Sequence, residues 1–157
     1  MTERSVTHDM FVIERTYDAA PERVFTAWAD PAVKARWFAG PEEWGAPEFE
    51  MDFRVGGREV SRGGPPDGPQ YAMEARYWDI VPNERIVSTY DMHMNQMRIS
   101  VSLATVEFTP AGTGTRLVYT EQAVFLDGHD NAAERERGTR DLLDALDAAL
   151  RRASATV

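Results

Sequence analysis

The chain has 157 residues, a formal net charge of −9 and no cysteine, which suits one domain with a sizeable core and excludes disulfides, thiolate metal ligands and cysteine nucleophiles. The acidic balance argues against nucleic acid as a partner, because affinity for a phosphate backbone comes from clustered Lys and Arg that release counterions. No apolar run approaches the ~20 residues of a bilayer span and residues 1–10 lack the basic start and apolar stretch of a signal peptide, so a cytoplasmic location and no membrane partner are expected.

Residues 1–9 are polar and read as a flexible tail, with one domain expected over 10–153. Over 10–18 the chain alternates, placing Phe11, Ile13 and Tyr17 on one face with Arg15 interrupting it, which is the period of a strand. Asp18-Ala19-Ala20-Pro21-Glu22 is a helix start, with Pro in the first turn and acids near the positive dipole end. Val24, Phe25 and Trp28 give that short helix an apolar stripe. Asp30-Pro31 ends it and caps a second helix, expected to run to about Phe38.

From Glu48 onward short strands alternate with turn residues. Phe49, Met51 and Phe53 share a phase, Gly56-Gly57 bends the chain into 58–62, and Gly63 to Pro69 forms an exposed loop. Further strands are expected over 71–81, 85–94, 97–108 and 115–125, with turns at Pro82-Asn83-Glu84, Asn95-Gln96 and Pro110 to Gly114. In 97–108 the apolar residues change phase, from Ile99, Val101 and Leu103 to Val106 and Phe108, so a β-bulge is expected near Ala104 and Thr105. A final helix over 132–153 carries Leu142, Leu143, Leu146 and Leu150 on one stripe, with Gly138 marking a kink or an irregular lead-in. Arg135, Arg137 and Arg140 lie close to acids and read as a solvated face.

Helices at the two ends of a strand meander predict an α+β layer. The motifs sharpen this. Asp18 to Phe25, Trp28, Asp30-Pro31 and Trp37-Phe38, followed by Asp52 to Gly57, Pro82 to Ile86, Gly114 to Leu117, Thr120-Glu121-Gln122 and Gly138-Thr139-Arg140, resemble in order the activator of heat-shock-protein-90 ATPase homologue-like family of the START-related SRPBCC superfamily. The resemblance implies a helix-grip fold: a curved antiparallel sheet of about 6–7 strands, two short helices after strand 1, and a long C-terminal helix over a cavity. It implies no single activity, since function resides in sites and not in folds.

The expected ligand-binding residues are Trp37, Phe38, Phe49, Met51, Phe53, Tyr77, Tyr90, Met92, Tyr119, Glu121, Leu143 and Leu146. Large aromatic and thioether side chains along strand faces suit an apolar pocket, although each also serves as core packing. Trp37, Phe38 and Trp44 are placed either as a lid or as a hydrophobic plug. Glu121 shares its phase with Tyr119 and Phe125 and is the best candidate for an inward carboxylate, with Arg15 as a candidate partner. The histidines His8, His93 and His129 have no ligand spacing, and neither a phosphate loop nor a nucleophile elbow is present. The expectation is therefore a carrier or sequestering protein for a small apolar molecule, with no cofactor, no metal and no assigned catalytic residue. A cyclase or dehydratase acting on a polyketide-like substrate through Glu121, Arg15 or Tyr90 is a second reading, and a cochaperone-like interaction module a third. A homodimer is left open.

Overall fold

The computed structural model describes residues 3–155. Seven strands form one antiparallel sheet: β1 (Val6–Tyr17), β2 (Glu48–Met51), β3 (Arg58–Gly63), β4 (Tyr71–Val81), β5 (Arg85–Met94), β6 (Met97–Ala111) and β7 (Gly114–Leu126), in the order β1-β7-β6-β5-β4-β3-β2. Helices α1 (Pro21–Ala29) and α2 (Pro31–Lys34) follow β1, and α3 (Ala132–Ala155) ends the described chain. This is the helix-grip arrangement. No helix among the described residues is long and apolar enough to cross a membrane.

Local chemistry sets these elements. Pro21 opens α1, and Asp30 caps α2 by accepting the Ala32 N–H at 2.9 Å. Asn95 and Gln96 adopt positive φ between β5 and β6, the left-handed geometry of a tight hairpin. Gly57 is required by space: a Cβ there would lie 2.0 Å from the Asp52 carbonyl oxygen. The inner face of β1 (Phe11, Ile13, Tyr17) joins Val24, Phe25 and Trp28 of α1, Leu117 of β7 and Leu143, Leu146 and Leu150 of α3 in one core. Tyr17 fastens α3 to β1 by donating its hydroxyl to the Leu143 carbonyl at 3.0 Å.

Several expectations are corrected. β1 begins at Val6, not Met10: residues 6–9 pair with β7, and the Ser5 N–H donates to Asp127 at 3.0 Å, so most of the supposed tail is ordered. That backbone hydrogen bond holds the Asp127 carboxyl below its ordinary range. α2 ends at Lys34, four residues short of Phe38, and α3 runs unbroken through Gly138. The pairing of β6 with both neighbours is continuous through Ala104 and Thr105. The bulges fall instead at Trp78 in β4 and at Ile99 in β6. From Ser100 onward the even positions of β6 face inward, leaving Val101 and Leu103 on the outer face at 44% and 38% exposure.

Candidate functional site

Helix α3 approaches the sheet most closely at β1. The inner faces of β3, β4 and β5 are therefore left facing open space, and a cavity of about 780 Å³ lies between them, α3 and the segment after α2. Tyr71, Met73, Ala75 and Tyr77 of β4 line it in strict alternation, as do Ile86, Ser88, Tyr90 and Met92 of β5. Exposed Glu134, Gly138 and Asp141 of α3 form part of its rim. Trp44 stacks on Tyr71 at 5.8 Å and 10° across the opening.

Of the residues expected from sequence, Trp37, Phe38, Phe53, Tyr77, Tyr90, Met92, Tyr119 and Leu143 line this cavity. Four do not. Phe49 and Met51 lie on the edge strand β2, where Met51 packs against the core, and Leu146 is fully buried in the core itself. Glu121 faces inward as its phase requires, yet it lies behind the tyrosine rings, with no exposed surface. Trp37 is a plug more than a lid: it is 2% exposed, packs edge-on against Trp28 and donates its indole N–H to the Ala27 carbonyl at 3.0 Å.

Two buried polar clusters are set into the cavity wall. In the first, the Glu121 carboxylate accepts from Tyr90 (2.6 Å), Ser102 (2.7 Å), Tyr119 (2.7 Å) and Arg135 (3.3 Å). Arg135, 9% exposed near the start of α3, also donates to the Tyr90 hydroxyl, Ser100 and Asp130 at 2.7–2.8 Å. Its guanidinium lies 5.6 Å and 5.5 Å from the ring centres of Tyr90 and Phe125. Burial alone would lower its pKa, but Tyr90, Glu121 and Asp130 outweigh burial and hold it above the ordinary value. Arg135 thus occupies the place expected for Arg15, which reaches Asp144 on α3 instead, at 3.3 Å. It is not part of a solvated face.

The second cluster was not legible in the sequence. Lys34 Nζ, on the last residue of α2, donates to both oxygens of Glu59 at 2.7 Å and 2.9 Å, and the Tyr77 hydroxyl donates to the same carboxylate. Lys34 and Glu59 are 5% and 2% exposed. The ammonium also lies over the rings of Phe38 (4.4 Å) and Trp28 (5.5 Å). Glu59 is inward because it pairs with Ala75 on β4 and Met51 on β2. Its buried neighbour Val60 gives the strand an apolar signal on the opposite phase.

Burial raises the pKa of Tyr17 despite the opposing charge of Arg15, with smaller contributions from Asp147 and Asp144, and burial followed by Glu59 raises that of Tyr77. Tyr90 is raised by burial and then Glu121 despite Arg135, and Tyr119 by burial, then Tyr90 and Glu121. A group whose folded pKa is raised contributes its stability fully below its unfolded pKa, here about 10, and loses it as pH climbs toward the folded value. Four of the five tyrosines therefore stay neutral in the fold. Above about pH 10 their tyrosinate absorbance is expected to appear in one step with the loss of near-UV circular dichroism. Gradual ionisation of these four in the folded protein would contradict their burial.

Residues 18–151 match the family model described as Activator of Hsp90 ATPase homolog 1-like protein. Among solved structures, a protein from Rhizobium leguminosarum is 46% identical, with a TM-score of 0.91 over 96% of this chain and 99% of that one. The protein Mll3558 from Rhizobium loti is 53% identical, with a TM-score of 0.86 over 92% and 99%. An AHSA1-like protein from Aeromonas hydrophila shares the fold at 22% identity, with a TM-score of 0.70 over 93% and 94%. No curated protein matches the chain.

Proposed function

The chain belongs to the Activator of Hsp90 ATPase homolog 1-like family, and from that premise we propose that it binds one small apolar molecule in the cavity between sheet and α3, as a carrier or sequestering protein. The observation that carries this reading is the cavity itself. At about 780 Å³ it falls within the ~300–1,000 Å³ of small-molecule sites, and aromatic and thioether side chains beside a few fixed polar groups are the usual lining of such sites. The ring faces of Phe53, Tyr77 and Tyr90 and the flexible side chains of Met73 and Met92 offer a surface for a flat or variable apolar body.

The polar clusters support binding over acid–base catalysis. Glu121 accepts from four donors, three on Oε2 and Tyr119 on Oε1, and it has no exposed surface through which a substrate could reach it. Tyr90, with its raised pKa, is held as a neutral phenol. A chain without cysteine is suited to the reducing cytoplasm, where we place it. N-phenyl-1-naphthylamine, a neutral apolar fluorophore, is expected to bind at about one equivalent with enhanced emission. A flat titration would remove the proposal.

A further inference from the structure

The helices pack on the inner face of the sheet, and nothing among the described residues covers its outer face. Polar and charged side chains ordinarily fill such a face, and charge guards a sheet against association. Here two successive rows across four strands carry no charge at all. Register sets Met10, Gln122, Leu103 and Thr89 side by side in one row, and Val12, Thr120, Thr105 and Val87 in the next, in a chain that is 27% charged. Trp78, at the β4 bulge, joins this face by donating its indole N–H to the Thr89 hydroxyl at 2.8 Å.

The size of the patch is that of an interface. Met10, Val12, Trp78, Val101 and Leu103 are each 38–56% exposed, which leaves roughly 400 Å² of mostly apolar surface in water. A stable dimer of standard size buries about 800 Å² on each partner, a little over half of it apolar. The patch therefore supplies the apolar share of one such interface.

Charge points to the occupant. With a net charge of −9, two copies repel unless they meet through a face that carries no excess of acid. Around the patch the acids are matched by arginines on the same face: Glu14 pairs with Arg116, Asp79 with Arg85, Asp91 with Arg98 and Glu74 with Arg58. The remaining Glu107 is offset by Arg76, whose guanidinium lies 6.0 Å from the Trp78 ring centre. A second copy of the chain meets no net repulsion here.

We propose that this face is a homodimer interface, in which two copies stack their sheets about 10 Å apart, as in a β-sandwich, around a two-fold axis at Leu103. Strand β6 is the middle one of the five that carry the patch. An axis along it sets Trp78 of each copy against Met10 and Val12 of the other, the reciprocal contact that two-fold symmetry requires. The sheet is curved and holds the cavity on its inner side, so the outer face is convex. Short Val101 and Leu103 at the centre, with the longer Met10 and Trp78 at the flanks, complement that shape. The cavity lies on the opposite face, so the interface is independent of the binding role.

Sedimentation velocity of the wild-type chain at micromolar concentration is expected to give twice the chain mass. Leu103→Arg sets two like charges on the axis and is expected to raise the dimer Kd about a hundredfold or more. Because Leu103 is exposed, that variant should keep the wild-type melt. The chain has no cysteine, so Leu103→Cys introduces a single thiol that bismaleimidoethane is expected to join to its copy. Ala32→Cys, exposed on α2, should stay uncoupled. A wild-type monomer overturns the proposal, including one that adsorbs to phosphatidylcholine vesicles through this face. So does a dimer that Leu103→Arg leaves intact, or equal cross-linking of the two cysteine variants.

Discussion

Replacing Glu59 by Leu is expected to lower stability by ~3–5 kcal/mol, because it strands the Lys34 ammonium, 5% exposed, without a counter-charge. For a chain of this length that corresponds to a fall in Tm of roughly 10 °C. The loss is not the net worth of the ion pair. Two charges taken out of water lose hydration that their mutual attraction recovers only in part, so an apolar replacement of the whole cluster is nearly neutral. The Tyr77 hydroxyl must be included, because it donates to the same carboxylate and would otherwise be orphaned. The triple variant Lys34→Met, Glu59→Leu, Tyr77→Phe is accordingly expected to return to within ~1–2 kcal/mol of wild type. Denaturant melts of the single and triple variants check this. A single variant as stable as wild type would mean that Lys34 escapes to solvent and that the cluster does not shape the cavity wall.

Arg135→Met is expected to be comparably damaging, by ~3–5 kcal/mol, for a different reason. Asp130 keeps some access to water and can be solvated. Glu121 cannot: it has no exposed surface, and without Arg135 its charge is left to the hydroxyls of Tyr90, Ser102 and Tyr119. Removing that charge should therefore rescue the variant. Glu121→Gln in the Arg135→Met background is expected to recover ~2 kcal/mol or more, a non-additivity of the size found for directly coupled groups. Additive losses in a double-mutant cycle would show that Arg135 acts by packing alone.

The strands were legible where one face is apolar throughout. β4 and β5 fall on residues 71–81 and 85–94 as alternation and turn residues predict, because Pro82-Asn83 and Asn95-Gln96 leave the chain few other conformations. β6 was misread for a physical reason. Its inward residues Ser100, Ser102 and Ala104 are small, and two of them serve the Glu121 and Arg135 cluster, while Val101 and Leu103 point outward. Hydrophobic phase therefore pointed to the wrong face, and the bulge at Ile99 was displaced to Ala104.

The same limit applies to the site. The aromatic lining and the inward Glu121 followed from strand phase, since each depends only on its own strand. Lys34 and Arg135 did not, because each has an adequate local explanation: a cation at the end of a short helix, and an arginine flanked by Glu134 and Glu136. Their partners lie 25 residues away for Lys34 and Glu59, and 35 for Arg135 and Ser100, brought together only by sheet register.

The most direct test is the N-phenyl-1-naphthylamine titration repeated on Ala75→Phe. Ala75 lies on the inner face of β4, between Glu59 on β3 and Tyr90 on β5, and lines the cavity. A phenyl ring there fills ligand space with a residue that strands accept well. Wild type binding at about one equivalent, with an Ala75→Phe protein that melts normally and binds no probe, is the result expected. Undiminished binding by Ala75→Phe would contradict the account, because the probe would then reside outside the cavity.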